Sequence, residues 1–329
     1  MSALDFVRPF WAMGLLVVLF LGISPRVWSE TPAVWVTHAL EKVFPDTQPP
    51  AEAKSEIVLK VGRNDTEDAQ VVVRVPQETT VANAYLETAD LKGDHGGIIA
   101  KDQIFAWWIW YTYVLNNPKG NTDPSTYLRK APAFFPDAFL EQRTIRIRDE
   151  WTQPLWVSVH IPKDTAPGEY TGVFNLHITA NQEPMVYEIP VRITVWDFTL
   201  PDEFHLHHTE WFSYWGLADY YRISVGSEEF WAWVERVAAD MARHKQDMII
   251  TPLTALVAMK QVAPGEFVFD FTMLDRWIET FKKAGVTWIE GSHVGGRSSG
   301  WESLIVWGRF RVDGVDTASL TEEEFEPYV

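Results

Sequence analysis

The segment Val195-Trp196-Asp197-Phe198-Thr199-Leu200-Pro201 divides the chain into two stretches with different patterns. Upstream, short β-branched and aromatic runs are punctuated by Pro and Gly. Downstream, strand-like and helix-like patterns alternate. The first pattern builds sheet packed on sheet, and the second builds a parallel sheet with crossover helices. A (β/α)8 barrel takes about 250 residues, and only residues 202–329 follow the division. The pattern therefore predicts a multi-domain chain. An antiparallel β-sandwich occupies residues 30–200. Residues 201–329 form the start of an incomplete (β/α)8 TIM-type barrel, about three βα units in all.

In the first stretch, Ile57-Val58-Leu59-Lys60-Val61 and Val71-Val72-Val73-Arg74-Val75 have strand length and composition. Gly62-Arg63-Asn64-Asp65-Thr66-Glu67-Asp68 between them is rich in turn formers. Further strands are predicted over 155–161, 171–178 and 187–195, the first two of these joined through Pro167-Gly168-Glu169-Tyr170. Residues 107–115 (WWIWYTYVL) read as a buried strand, and residues 116–139 as a long loop.

In the second stretch, residues 204–211 (FHLHHTEW) are a strand candidate. Ser227 offers an N-cap, with Glu228 and Glu229 where the helix dipole favours acids. Phe230, Val234, Val237 and Met241 then make one apolar stripe. Residues 248–253 read as a strand that ends at Pro. Leu274, Ile278 and Phe281 mark a second helix closed by Gly285, and residues 286–290 read as a third strand. A Gly/Ser-rich loop covers 291–300. Thr321-Glu322-Glu323-Glu324 is a capping box that opens another helix. Three parallel strands leave an unpaired edge and an uncovered face, so the chain is expected to be part of a longer polypeptide.

Residues 1–29 read as a secretory signal. Arg8 and the amino terminus supply positive charge, residues 11–23 are an apolar run, and Val27-Trp28-Ser29 resembles a small-residue cleavage site. The run is shorter than the roughly 20 residues a spanning helix needs. A secreted or periplasmic location follows, with no membrane attachment after cleavage; the alternative is an uncleaved N-terminal anchor. There is no Cys, so no disulfide, thiolate nucleophile or lipidated cysteine is available. The net charge of −17 argues against a nucleic-acid partner, whose phosphates require Lys and Arg.

Several of these segments carry a family resemblance. Residues 62–70 resemble the R-N-E-x-E-x-x-Q strand–turn element in the N-terminal sandwich of glycoside hydrolase family 123-like proteins. Pro167-Gly168-Glu169-Tyr170-Thr171-Gly172 resembles that domain's P-G-x-Y-x-G hairpin, and Trp196-Asp197-Phe198-Thr199-Leu200-Pro201 resembles its exit. Residues 230–253, containing Met241-Ala242-Arg243-His244-Lys245-Gln246-Asp247-Met248, resemble the first helix and second strand of the family's catalytic barrel. The resemblance runs over roughly 55–290.

The resemblance implies a retaining exo-β-N-acetylgalactosaminidase-like enzyme, or a relative acting on other glycans. In such an enzyme the substrate's own 2-acetamido group is the nucleophile, a departure from the usual two-carboxylate scheme. An adjacent Asp-Glu pair at a barrel strand end does the protein's part. Glu protonates the leaving oxygen, and Asp orients and stabilises the acetamido group. Asp149-Glu150 falls in the sandwich, and Asp202-Glu203 at the wrong end of the first barrel strand, since barrel chemistry sits at strand C-termini. Both read as solvated charge. The catalytic pair is expected beyond Val329, with no catalytic residue in this chain, no cofactor and no metal.

Four residues are candidate sugar contacts. Trp211 follows the first strand candidate and suits stacking on a pyranose, or a place in a core. Glu290 ends the third strand, as a hydroxyl acceptor or as the partner of Arg297 or another cation. His293 and Arg297 lie in the loop after it, where binding residues concentrate; a loop-stabilising hydrogen bond is the other reading of His293. His205, His207, His208 and Glu210 resemble a ligand cluster but lack the spacing of a zinc site. Asn64-Asp65-Thr66 matches the N-glycosylation sequon and reads as structural within the family-like turn. The partner expected is a glycan containing N-acetylhexosamine. A non-catalytic glycan-binding or surface-interaction protein built from the same two folds is the competing function.

Overall fold

The computed structural model describes residues 31–117, 123–202, 205–263 and 266–293, with the pairs 295–296, 305–306, 311–312 and 315–316. The signal-like segment 1–29, Glu203, Phe204, Arg297 and the capping box at Thr321 lie outside these residues. The chain divides into two units, Met1–Leu200 and Pro201–Val329.

The first unit is built from strands. They are β1 (Ala33–His38), β2 (Ile57–Arg63), β3 (Asp65–Arg74), β4 (Val81–Glu87), β5 (Leu91–Gly93), β6 (Ile98–Ile99), β7 (Ile104–Val114), β8 (Ala133–Phe139), β9 (Ile145–Ile147), β10 (Thr152–Ile161), β11 (Gly168–Ala180) and β12 (Glu183–Thr199). One sheet has the order β1-β3-β10-β7-β8. The other runs β2-β12-β11-β4-β9, with β5 and β6 attached beside β11. Alternation along the strands sends Val71, Val73, Trp108, Leu155 and Val157 of the first sheet into one core with Leu59, Val61, Phe174, Leu176 and Ile193 of the second.

Four details depart from the pattern read in the sequence. The turn predicted over 62–68 shrinks to a single corner. Asn64 alone is left-handed (φ 59°), and Asp65 already opens β3. An asparagine tolerates that conformation, and here its side-chain amide donates to Leu200 O at 2.9 Å. Arg63 adds an ion pair to Asp197 at 3.2 Å, and Leu200 N donates to Arg63 O at 2.9 Å. The family-like turn and the family-like exit are therefore one fastening. The pairing of β2 with β12 is parallel within an otherwise antiparallel unit. Gly62 leaves room for the Phe198 ring, which a Cβ there would approach to 2.5 Å.

Residues 107–115 are not buried throughout. Trp108 enters the core between the sheets, while Tyr111, past a register irregularity at 109–111, is buried by bonding Val43 O and Thr152 O, and Trp110, Tyr113 and Leu115 are exposed. The predicted loop 116–139 contains β8, which runs antiparallel to β7. Its Pro136 marks it as an edge strand, and its aromatic rings pack across the pair, with Phe134 against Tyr113 at 4.9 Å and Phe139 against Trp107 at 5.4 Å.

Gln70 occupies the last position of the family-like element at 62–70. Its side chain is buried and its Nε2 donates to His38 O at 3.0 Å and Glu41 O at 2.9 Å, fastening the turn after β1 to β3. Gln70→Glu removes the donors and sets a carboxylate against the same carbonyls. A loss of about 2 kcal/mol is expected, read as a fall in the chemical-denaturation midpoint with an unchanged slope.

The second unit holds α1 (Tyr214–Tyr221), α2 (Glu228–Arg243), β13 (Met248–Thr251), α3 (Leu253–Leu256), β14 (Ala258–Ala263), β15 (Glu266–Asp270), α4 (Thr272–Ala284) and β16 (Trp288–Gly291). The predicted caps are present: Ser227 Oγ accepts from Phe230 N at 3.2 Å, and Gly285 closes α4 at φ 107°. The buried stripe of α2 is Phe230, Trp231, Val234 and Ala238, with Val237 and Met241 only half-buried. These side chains share a core with Ile249, Trp277 and Phe281. The pair β13–β16 is parallel. The hairpin of β14 and β15, which runs antiparallel, has no counterpart in the pattern read from the sequence.

Residues 205–211 do not form the predicted strand. Only Thr209 joins the sheet, by one parallel bridge to Met248. The reason is a competing partner. Asp247 takes His208 N at 2.8 Å on one carboxylate oxygen and His207 Nδ1 at 2.7 Å on the other. The carboxylate thereby holds the His207 ring and removes the His208 amide from a ladder.

Candidate functional site

Met248 pairs with Trp288, Ile249 with Ile289, Ile250 with Glu290 and Thr251 with Gly291. In-register parallel neighbours project to the same face, and alternate residues project to opposite faces. Ile249 enters the core under α2 and α4. Ile250 and Glu290 therefore occupy the other face, one residue short of the strand C-termini. Ser292 N donates to Thr251 O at 3.0 Å and holds the two ends level.

Trp211 lies two residues past the Thr209 bridge, and His293 two residues past the end of β16. Their rings meet edge to face, with centroids 5.6 Å apart and planes at 75°. Trp211 is 65% exposed, so its place is at the surface and not in a core. His293 is also exposed, and the half-buried Glu290 stands nearby in sequence on the face away from the helices. The structure thus joins two of the four candidate residues directly. Arg297 falls outside the described residues. An exposed indole beside an imidazole can stack on a pyranose face while the imidazole and a carboxylate exchange hydrogen bonds with hydroxyls.

The opposite ends of the strands are closed by a different set. Asp247 is buried. Its backbone oxygen accepts Thr287 N at 3.1 Å and Trp288 N at 3.0 Å, while its carboxylate holds His207 and His208. The His207 ring lies 3.8 Å from that of Trp288. Burial pushes the Asp247 carboxyl up. The His207 bond, the His208 amide and the His207 charge outweigh it, and the carboxyl sits below the ordinary carboxylate value. Gln246, also buried, donates to Met248 O at 2.9 Å and Glu210 O at 3.3 Å. Gln246 and Asp247 stand inside the family-like stretch 241–248. Polar residues just ahead of an apolar strand were the available signal for this fastening, which ties the segment 207–210 to the start of β13. His208 and Glu210 pair at 3.1 Å on the surface. Among the described residues no group of three or more His, Cys, Asp or Glu is placed to hold a metal ion.

Asp149 and Glu150 are exposed in the turn between β9 and β10, where Glu150 O accepts from Arg74 at 2.6 Å. Asp202 is exposed at the start of the second unit, ahead of the segment that bridges to β13.

The glycoside hydrolase 123 N-terminal domain matches residues 41–178, and the glycoside hydrolase 123 catalytic domain matches residues 211–303. The chain belongs to glycoside hydrolase family 123. The family 123 catalytic match opens on Trp211 and contains Glu290, His293 and Arg297. Among solved structures, a family 123 glycoside hydrolase from Clostridium perfringens, described for glycolipid glycan hydrolysis, superposes with a TM-score of 0.66 at 14% identity. That match covers 84% of this chain and 52% of that one, so the present chain spans about half the length of its solved relative. A PapD-like domain of human CEP192 gives a TM-score of 0.29 at 10% identity, over 58% of this chain and 99% of that domain. No curated protein matches the chain.

Proposed function

We propose that the chain carries the supporting β-sandwich and the first βα units of the (β/α)8-type catalytic domain of an exported family 123 glycoside hydrolase. The substrate class is a glycan bearing β-linked N-acetylhexosamine, cleaved with retention and with the acetamido group as nucleophile. The observation that carries this reading is the exposed Trp211 and His293 pair beyond the C-terminal ends of parallel strands, inside the span of the catalytic match. Trp211 stacks on the sugar ring, and His293, Glu290 and Arg297 address its hydroxyls. The catalytic Asp-Glu pair belongs to the part of such an enzyme that this chain does not span, and the chain by itself is inactive. Residues 1–29 direct export.

Purified 1–329 is expected to release no nitrophenol from 4-nitrophenyl β-N-acetylgalactosaminide. A form that extends into the remainder of the catalytic domain is expected to release it. In that form Trp211→Ala is expected to raise KM about tenfold, the loss of roughly 1.4 kcal/mol of stacking, with a smaller change in kcat. Turnover by 1–329 itself would overturn the placement of the catalytic pair.

A further inference from the structure

The second unit contains a groove of about 820 Å³ walled by α1, the α1–α2 connection, α3, the start of β14 and the start of α4. We propose that this groove is a saccharide-binding site for a neutral, extended glycan, separate from the Trp211 and His293 position. The proposal rests on the glycan reading above for its ligand class and adds a site to it.

The volume lies in the range that ligand sites occupy, roughly 300–1,000 Å³. Its position fits. Tyr214 opens α1 three residues past Trp211, and Leu253 opens α3 two residues past the end of β13. Both walls therefore grow from the strand ends where binding residues gather.

The lining has the chemistry of a sugar site. Trp215 is 46% exposed and leans on the buried Tyr214 ring, with centroids 5.2 Å apart, so its indole is held in place and still open. Asp219, Arg222 and Asp270 line the groove with it. Arg222 and Asp219 are exposed, and among the described residues neither side chain has a hydrogen-bond or ion-pair partner, so both are open to a ligand in the groove. Asp270 accepts from Thr272 N and Oγ1 through one of its two oxygens. A sugar offers an apolar C–H face to an indole, and hydroxyls that both donate and accept. An anionic ligand would meet two carboxylates against one guanidinium, and a wholly apolar one would desolvate all three charges without return.

Arg222 supplies the second argument. It caps α1 in the left-handed conformation, φ 55° and ψ 43°, with Ile223 N donating to Ala218 O at 2.9 Å. Glycine is the usual residue at such a cap because it has no Cβ to strain that conformation. The left-handed cap fixes the backbone at Arg222, whose side chain lines the groove.

The test is a titration of the 1–329 chain with lactose, followed by tryptophan fluorescence and by NMR. Saturable binding is expected. Trp215→Ala should weaken it about tenfold, as for one stacked ring. Arg222→Gly relieves the strained cap, so Tm should hold or rise, while binding falls about tenfold with the loss of a charge-assisted donor. Unchanged lactose affinity in Arg222→Gly, or no saturable binding by the unaltered chain, would overturn the proposal. Tighter binding of 3′-sialyllactose than of lactose would overturn the neutral class. The hydrolysis assay is read separately. Failure of turnover in the extended form removes the hydrolase reading and leaves the lactose titration intact. Turnover without lactose binding removes only the groove.

Discussion

Trp108→Ala is expected to destabilise the first unit by about 4 kcal/mol, the usual range for emptying a large aromatic from a core. Trp108 is fully buried in β7, opposite Leu155 of β10. Its indole N–H donates to Arg143 O at 3.1 Å. The substitution opens a void between the two sheets and also strands that carbonyl. Domain stabilities are only about 5–15 kcal/mol, so the loss should bring the unit close to its unfolding threshold at 37 °C. Hydrogen exchange of the β3 and β10 amides reads this unit specifically, and their protection should fall accordingly. Trp110→Ala is the matched control. Trp110 stands two positions along the same strand but is 56% exposed, and its removal should change stability by less than about 0.5 kcal/mol. Equal effects at the two positions would mean that the register of β7 is misassigned.

Asp247→Ala is expected to cost about 3 kcal/mol in the second unit, because the His207 and His208 bonds are lost together and their donors are left without the acceptor. The effect should depend on pH. The native Asp247 carboxyl sits below its ordinary value of 3.8, with burial opposing and the His207 and His208 bonds prevailing. A depressed native pKa gives stability that is fully present above the ordinary value and is lost as pH falls through the native one. The gap between the unaltered chain and Asp247→Ala should therefore narrow as pH falls below about 4. A gap that widened as pH fell from about 4 to 3 would show that the carboxylate is not the stabilising form. His207→Ala tests the same fastening from the other side, and should remove part of the gap while leaving the His208 bond.

Legibility varied from element to element. The cap at Ser227 and the stop at Gly285 were readable because each acts through a backbone group within three or four residues. Phe230 and Val234 were readable as core because a helix repeats its face over the same short distance. The strand at 133–139 was hidden by its prolines. It exists because Phe134 and Phe139 find rings on β7, which no local pattern announces. Of the candidate site, Trp211 and His293 were identified singly. Their meeting depends on β13 and β16 arriving side by side, an event distant in sequence. Arg222 and Trp215 carried no signal, since an arginine after a short helix and a tryptophan inside it are unremarkable until a groove forms around them.

By itself the sequence determined the division near Leu200, the sheet-forming character of what precedes it, the two long helices that follow, and membership of family 123. Only the tertiary structure decided that 205–211 is not a strand, that the residues at 62–64 lock the far end of β12, and that a groove opens beside α1. The difference is one of range. Periodicity and capping are settled by near neighbours. Whether a strand-capable run pairs is settled by partners distant in sequence, and for His207 that partner is a carboxylate 40 residues away.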